Sequence, residues 1–313
     1  MFQLYVSYVA TVRKDRAEMI FSIFHEARVG GRTKNEDFCD YTYTDESLLM
    51  VLADGMGGHL YGEIASRLVV SHMMECHRVR AKPVVSDPYL FLNEICSTAN
   101  NAVLEYAAVQ DLLEIPRTTV VVGLIQGNCL YHAHMGDSRL YVLDNSGEVK
   151  RQTRDHTRIQ YLLDRGEISP EEILFHPDRN RVYNCLGLCL PTGPCVEELC
   201  LENGDVVILC SDGLWNYVSE KEMWDHVSGV PIATMGSRLM DLAECRGGVS
   251  RDNLTLMALL WEGSFHDDPT ILFCADTILS KDETQKNFCD SESWVSLDDS
   301  FFDKLEEEIV LDL

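Results

Sequence analysis

Three aspartates stand beside short apolar runs: Met50-Val51-Leu52-Ala53-Asp54-Gly55, Val206-Val207-Ile208-Leu209-Cys210-Ser211-Asp212-Gly213 and Asp252-Asn253-Leu254-Thr255-Leu256-Met257. A strand hidden in a core can deliver a carboxylate to the rim of a sheet, and a following glycine lets a backbone carbonyl approach an ion with no Cβ in the way. One Asp-Gly alone is ordinarily a turn. Its repetition points to one metal site assembled from distant parts of a β-sheet protein. Ligation by oxygen alone suits hard cations such as Mg²⁺ or Mn²⁺, whereas zinc recruits His or Cys. Two such ions about 3.5–4 Å apart acidify a shared water and stabilise an in-line displacement at phosphorus, with no serine or cysteine nucleophile. A phosphate also needs a donor, and Arg32, shortly before Glu36-Asp37, could supply a bidentate guanidinium.

The elements that must carry these residues are legible as strand-like runs at 47–53, 118–125, 129–135, 139–143, 205–210 and 254–261. Gln126-Gly127-Asn128 reads as a hairpin turn. Asp87-Pro88 supplies a cap and first-turn proline for a helix that buries Phe91, Ile95, Ala99, Ala102 and Tyr106. Gly57 and Gly58 read as a tight turn before a helix over 62–74; no lysine follows, as a nucleotide loop would require. Serine three residues before glutamate, at Ser169/Glu172 and Ser219/Glu222, predicts two more helix starts. Turn-linked strands with helices inserted between groups fit antiparallel sheets covered by helices better than βαβ alternation.

A chain of 313 residues with a formal charge of −25 can bury a substantial core and is repelled by nucleic acid and anionic membrane, so a metal or a basic partner fits better. No apolar stretch reaches the length of a membrane helix, and charges at Arg13, Lys14, Asp15, Arg16 and Glu18 interrupt any signal core; the chain reads as soluble and cytoplasmic. The twelve cysteines read mostly as reduced, buried thiols; Cys185, Cys189, Cys195 and Cys200 have loose zinc spacing but sit closer than zinc folds allow. Residues 264–313 hold fourteen Asp or Glu against three Lys. That bias reads as a solvated tail or an element docking a basic partner.

Five ordered motifs, Arg32-Thr33-Lys34-Asn35-Glu36-Asp37, Asp54-Gly55-Met56-Gly57-Gly58, Gly136-Asp137-Ser138-Arg139, Ser211-Asp212-Gly213-Leu214-Trp215 and Asp252-Asn253, together resemble the metal-dependent protein phosphatases of type 2C in their bacterial form. The resemblance covers about residues 21–262. It implies an α+β fold, a central β-sandwich of two antiparallel sheets flanked by helices. It implies a 20-residue N-terminal extension, a phosphatase domain over 21–262 and an acidic tail over 263–313. It also implies a dinuclear Mn²⁺ or Mg²⁺ centre that hydrolyses phosphoserine and phosphothreonine in proteins, substrates of a Ser/Thr kinase. Carried over by position, Asp54 bridges two ions, Gly55 binds through its carbonyl, Asp212 and Asp252 complete one shell, and Asp37 holds metal-bound water with Glu36 as a weaker candidate. Arg32 clamps the phosphate. Asp137 resembles the aspartate that helps bind a third ion, and 155–187 resembles the flap beside the active site.

Two positions depart from relatives. Met56 stands where many eukaryotic members have a histidine proposed as general acid, leaving His59 or a bound water as the proton source. Asn216 stands where some relatives have a third-ion aspartate, which weakens the case for that ion. Arg139 reads as a scaffold residue paired with a carboxylate, and His132 and His134 share one strand face as core or edge histidines. A sensing or scaffolding domain and a hydrolase of small phosphoesters are the rival readings.

Overall fold

The computed structural model describes residues 19–56, 61–179, 181–227 and 230–264. The proposed N-terminal extension up to residue 18, Gly57, Gly58, His59 and the acidic tail from residue 265 lie outside the described residues. Among the described residues, ten strands form two five-stranded antiparallel sheets. One runs β1 (Met19–Arg28), β10 (Leu254–Ser264), β9 (Val206–Cys210), β6 (Arg139–Leu143), β7 (Val149–Gln152); the other runs β2 (Asp37–Tyr43), β3 (Ser47–Asp54), β4 (Val120–Gln126), β5 (Cys129–Met135), β8 (Cys195–Cys200).

Period-two alternation explains why these runs are apolar on both faces. In β3, Leu48, Met50 and Leu52 enter the core between the sheets, while Leu49, Val51 and Ala53 face helices α1 (Gly62–Arg80) and α2 (Pro88–Val109). In β9, Val207 and Leu209 point inward, while Val206, Ile208 and Cys210 meet a second helical layer. That layer includes α4 (Asp212–Trp215), α5 (Glu220–Val227) and α6 (Ile232–Gly247). The short α3 (Arg158–Asp164) lies in the connection after β7. A strand buried on both sides must be apolar throughout, because no face of it meets water. The result is the expected helix–sheet–sheet–helix sandwich.

Local signals agree with this placement. Asp87 Oδ1 accepts from Leu90 N at 3.0 Å at the start of α2, and Phe91, Ile95, Ala99, Ala102 and Tyr106 are all buried. Ser219 N donates to Glu222 Oε2 at 3.1 Å ahead of α5. The Ser169 start opens a 3₁₀ helix, Pro170–Phe175. Strands β1, β2, β7 and β8 and helices α3 and α6 had no clear sequence signal. β2, Asp-Phe-Cys-Asp-Tyr-Thr-Tyr, and β7 and β8 carry charges because they lie at sheet edges. Among the described residues, no helix is long and apolar enough to cross a membrane.

The run predicted to begin at 118 starts as β4 two residues later. Thr118 and Thr119 are instead bonded to the backbone of Asp54.

Candidate metal centre

Antiparallel register places Asp37, the first residue of β2, directly opposite Asp54, the last of β3. Like charges facing each other across a ladder are destabilising without a counter-charge. Asp37 is buried, and its Oδ2 accepts from Ser211 Oγ at 2.8 Å and Thr255 Oγ1 at 2.7 Å. Its Oδ1 is buried with no amide or hydroxyl partner, and the Asp54 carboxyl stands opposite it across the ladder. Thr119 N and Thr118 Oγ1 donate to the Asp54 carbonyl at 2.8 and 2.9 Å, and Asp54 N donates to Thr119 Oγ1 at 3.2 Å. Thr119 Oγ1 is itself 2.7 Å from Ser138 Oγ. The carboxylate therefore rides on a fixed backbone.

Asp212 opens α4 at the end of β9, and Asp252 precedes β10, the strand paired with β9. Gly213, after Asp212, has its own steric reason: a Cβ there would stand 2.0 Å from the Asn253 carbonyl oxygen. At Gly55 a Cβ would lie 2.4 Å from Gly62 O and 2.6 Å from Glu36 O. Both glycines thus serve close packing of backbone against backbone. Asn253, buried, donates through Nδ2 to Val29 O at 2.8 Å and Lys34 O at 2.9 Å and accepts from Glu36 N at 2.9 Å. It ties the loop that carries Arg32 and Glu36 to the start of β10.

The carboxylates share one field. Burial raises the proton affinity of Asp54, and the charges of Asp37, Asp212 and Asp137 raise it further. Burial likewise raises Asp212, reinforced by Asp137, Asp252 and Asp37 and opposed by Arg32. Burial raises Asp37 against its two hydroxyl donors. Asp137 is raised by burial and by Asp155, with Arg139 opposing. Glu36 is raised by burial and by Glu63. Arg32 donates to Asp252 Oδ2 at 2.6 Å and is half-exposed; that partner outweighs the cost of partial burial and strengthens its charge.

The structure thus brings Asp37, Asp54, Asp137, Asp212, Asp252 and Arg32 into one electrostatic neighbourhood, with Gly55 in the same turn. Among the described residues, no three His, Cys, Asp or Glu side chains are drawn into a closed ligand set. The donor chemistry nevertheless fits a hard cation: all ligand candidates are oxygens, one buried carboxylate oxygen has no amide or hydroxyl partner, and the carboxylates outnumber the nearby cation Arg32. Cys189, Cys195 and Cys200 are exposed and Cys185 is buried, so their spacing does not build a zinc site. Among the described cysteines, five are buried, Cys129 is half-buried and four are exposed.

Around the centre, Arg139 forms a two-pronged pair with Asp155, both bonds at 2.8 Å, and its guanidinium lies 3.6 Å from the Trp215 ring centroid. Trp215 Nε1 donates to Asp137 O at 2.9 Å. Asn216 caps α4 through its N–H to Asp212 O at 3.1 Å. Met56 N donates to Arg117 O at 3.0 Å, and its thioether has no proton to give. The 155–187 segment is anchored at both ends, by His156 N to Gly136 O at 2.8 Å and by Leu186 N to Thr118 O at 2.9 Å.

Ser211, Thr255, Thr118, Thr119, Ser138 and Asn253 were absent from the site residues read from sequence. Thr255, in an otherwise apolar strand, and Ser211, between an apolar run and Asp212, were the available signals.

A family profile described as protein phosphatase 2C matches residues 27–244. A putative protein phosphatase 2C-type from Streptococcus pyogenes is 31% identical over 227 residues, 72% of this chain and 91% of the relative. The serine/threonine protein phosphatase PstP of Mycobacterium tuberculosis is 36% identical over 230 residues; these cover 72% of this chain but 42% of that longer protein. The crystal structure of the PstP catalytic domain in complex with two manganese ions superposes with a TM-score of 0.65 at 32% identity, covering 76% of this chain and 97% of that one.

Proposed function

The chain belongs to the protein phosphatase 2C family, and from that premise we propose that it removes phosphate from phosphoserine and phosphothreonine of proteins, by direct attack of water at a dinuclear Mn²⁺ or Mg²⁺ centre. The observation that carries this reading is the Asp37–Asp54 pair, two carboxylates held opposite each other with a buried oxygen lacking any donor. Asp54, the Gly55 carbonyl, Asp212 and Asp252 would hold the ions and Asp37 would support them, with Asp137 available to a third. When bound, such ions supply an acidified water and charge stabilisation for in-line displacement.

The chain's own residues do the rest. Ser211 and Thr255 fix the Asp37 rotamer through its Oδ2, leaving Oδ1 without an amide or hydroxyl partner. Arg32 exchanges its exposed partner Asp252 for the phosphoryl oxygens, which its planar fork matches. Asn253 holds the loop from which it reaches. Met56 leaves protonation of the departing alcohol to a group other than residue 56. The crowded aspartates favour a cationic cluster and repel bulk phosphate, so binding of the dianion depends on Arg32.

The phosphatase domain spans 21–262 in this proposal, with residues 1–20 as an extension and 263–313 as an acidic tail that docks a basic partner, in the cytoplasm. Turnover of a phosphothreonine peptide with Mn²⁺, with and without chelator, tests the mechanism: activity that survives complete metal removal, or is untouched by Asp54→Asn, would refute it. Faster turnover of nucleotides or sugar phosphates than of phosphopeptides would instead select a small-phosphoester hydrolase.

A further inference from the structure

Away from the metal centre, Cys129 at the start of β5 stands opposite Cys200 at the end of β8. Leu201 N donates to Asn128 O at 2.7 Å, which marks that neighbouring pair as hydrogen-bonded. Ladder alternation makes the next pair, Cys129 and Cys200, a non-hydrogen-bonded one, where opposing Cα atoms approach to about 4.5 Å and side chains are closest. That spacing falls inside the roughly 4.4–6.8 Å Cα range of a disulfide. Both side chains share the face that carries Tyr131 and Val196 toward the helical layer. Directly opposed on one face of the ladder, they are the nearest cross-strand neighbours that pairing allows. Cys200 is exposed and Cys129 half-buried, so a small reagent can reach the pair. Cys195, also exposed, opposes His134 from the other face of β8.

We propose that Cys129 and Cys200 are a reversible dithiol–disulfide site that reacts with low-molecular-weight disulfides and closes a cross-strand bridge between β5 and the edge strand β8. The exposed Cys200 thiolate attacks one sulfur of oxidised glutathione, forming a mixed disulfide and releasing one glutathione thiolate. Burial keeps the Cys129 thiol protonated at rest; once it loses its proton to solvent, its sulfur attacks Cys200 Sγ, breaks the mixed disulfide and releases the second glutathione. Two protein thiols are oxidised and one small disulfide is reduced to two thiols. The bridge closes over the chain segment containing Gly136-Asp137-Ser138 and 155–187, and it pins the edge strand by which that segment returns to the sheet. Reduction reopens it, so the site reads the thiol poise of its surroundings without using a residue of the metal centre.

The full chain is equilibrated in glutathione buffers of graded oxidised-to-reduced ratio, quenched in acid, alkylated with N-ethylmaleimide and mapped by peptide mass. The expected result is one linked peptide joining Cys129 to Cys200, the loss of two alkylatable thiols across a single two-electron transition, and full recovery on reduction. Cys129→Ser should trap a glutathione adduct on Cys200, whereas Cys200→Ser should carry none on Cys129. Full alkylation of both cysteines in the most oxidising buffer would overturn the proposal, as would a bridge from Cys200 to Cys189 or Cys195.

Discussion

Replacing Asp37 by asparagine should stabilise the metal-free protein while weakening its response to metal. The amide oxygen of Asn can keep both hydroxyl donors, Ser211 Oγ and Thr255 Oγ1, now held by Asp37 Oδ2 at 2.8 and 2.7 Å. The amide nitrogen would take the place of Oδ1, which is buried without a donor, and would present an N–H to Asp54 across the ladder. Opposed residues of an antiparallel ladder stand about 5 Å apart, and two unit charges at that spacing and an effective dielectric of about 20 repel by about 3 kcal/mol; protonation of one carboxyl relieves part of it near neutrality. The expected gain is therefore about 1–3 kcal/mol, or about 3–10 °C in Tm for a domain of this size. Folding raises the proton affinity of Asp37, to about 6, and of Asp54. The native state then binds more protons than the unfolded chain above about pH 4, and metal-free stability falls as pH rises from there through about 6. Asp37→Asn should flatten that fall. Calorimetry with chelator from pH 4 to 8, repeated with Mn²⁺, reads both effects; wild type at a hundredfold excess over Kd should gain about 2.7 kcal/mol from the ion, and the variant less. A variant that melts below wild type without metal, or keeps the full Mn²⁺ shift, would show that the pair is not a strained metal site.

Asn253→Ala removes three bonds to the loop carrying Arg32; it should cost about 2 kcal/mol in urea unfolding and raise KM for a phosphopeptide more than it lowers kcat, because the loop rather than the metal shell is released. Arg139→Met leaves Asp155 buried without its two-pronged partner and should destabilise by about 3–5 kcal/mol, seen as a lower denaturation midpoint at unchanged slope. Gly213→Ala places a Cβ 2.0 Å from Asn253 O; it should cost at least about 2 kcal/mol and depress Mn²⁺-dependent turnover, and a variant of wild-type stability and activity would contradict the packing described.

Much of the architecture follows from composition along the chain. The apolar runs of β3, β4 and β9 had to be central strands, since Leu48 and Leu49 are both fully buried though they point in opposite directions. The Asp87-Pro88 signal and the spacing from Phe91 to Tyr106 described α2 and its buried face. Edge strands were hidden because solvent on one side permits polar residues such as Asp40 and Glu198, which erases the alternation that marks a strand. The role of Thr118 and Thr119 was misread as strand because β-branched residues suit both a ladder and a hydroxyl contact.

By itself the sequence determined which runs are buried on both faces, a set of carboxylates at strand ends and an order of motifs, because periodicity and side-chain chemistry are local properties. Only the tertiary structure decided that Asp37 faces Asp54 in register, that hydroxyls from β9 and β10 hold it, that Asn253 anchors the Arg32 loop and that Cys129 meets Cys200. Those pairings join residues up to 224 positions apart, and register between strands is set by the packing of whole sheets rather than by either partner's own neighbours.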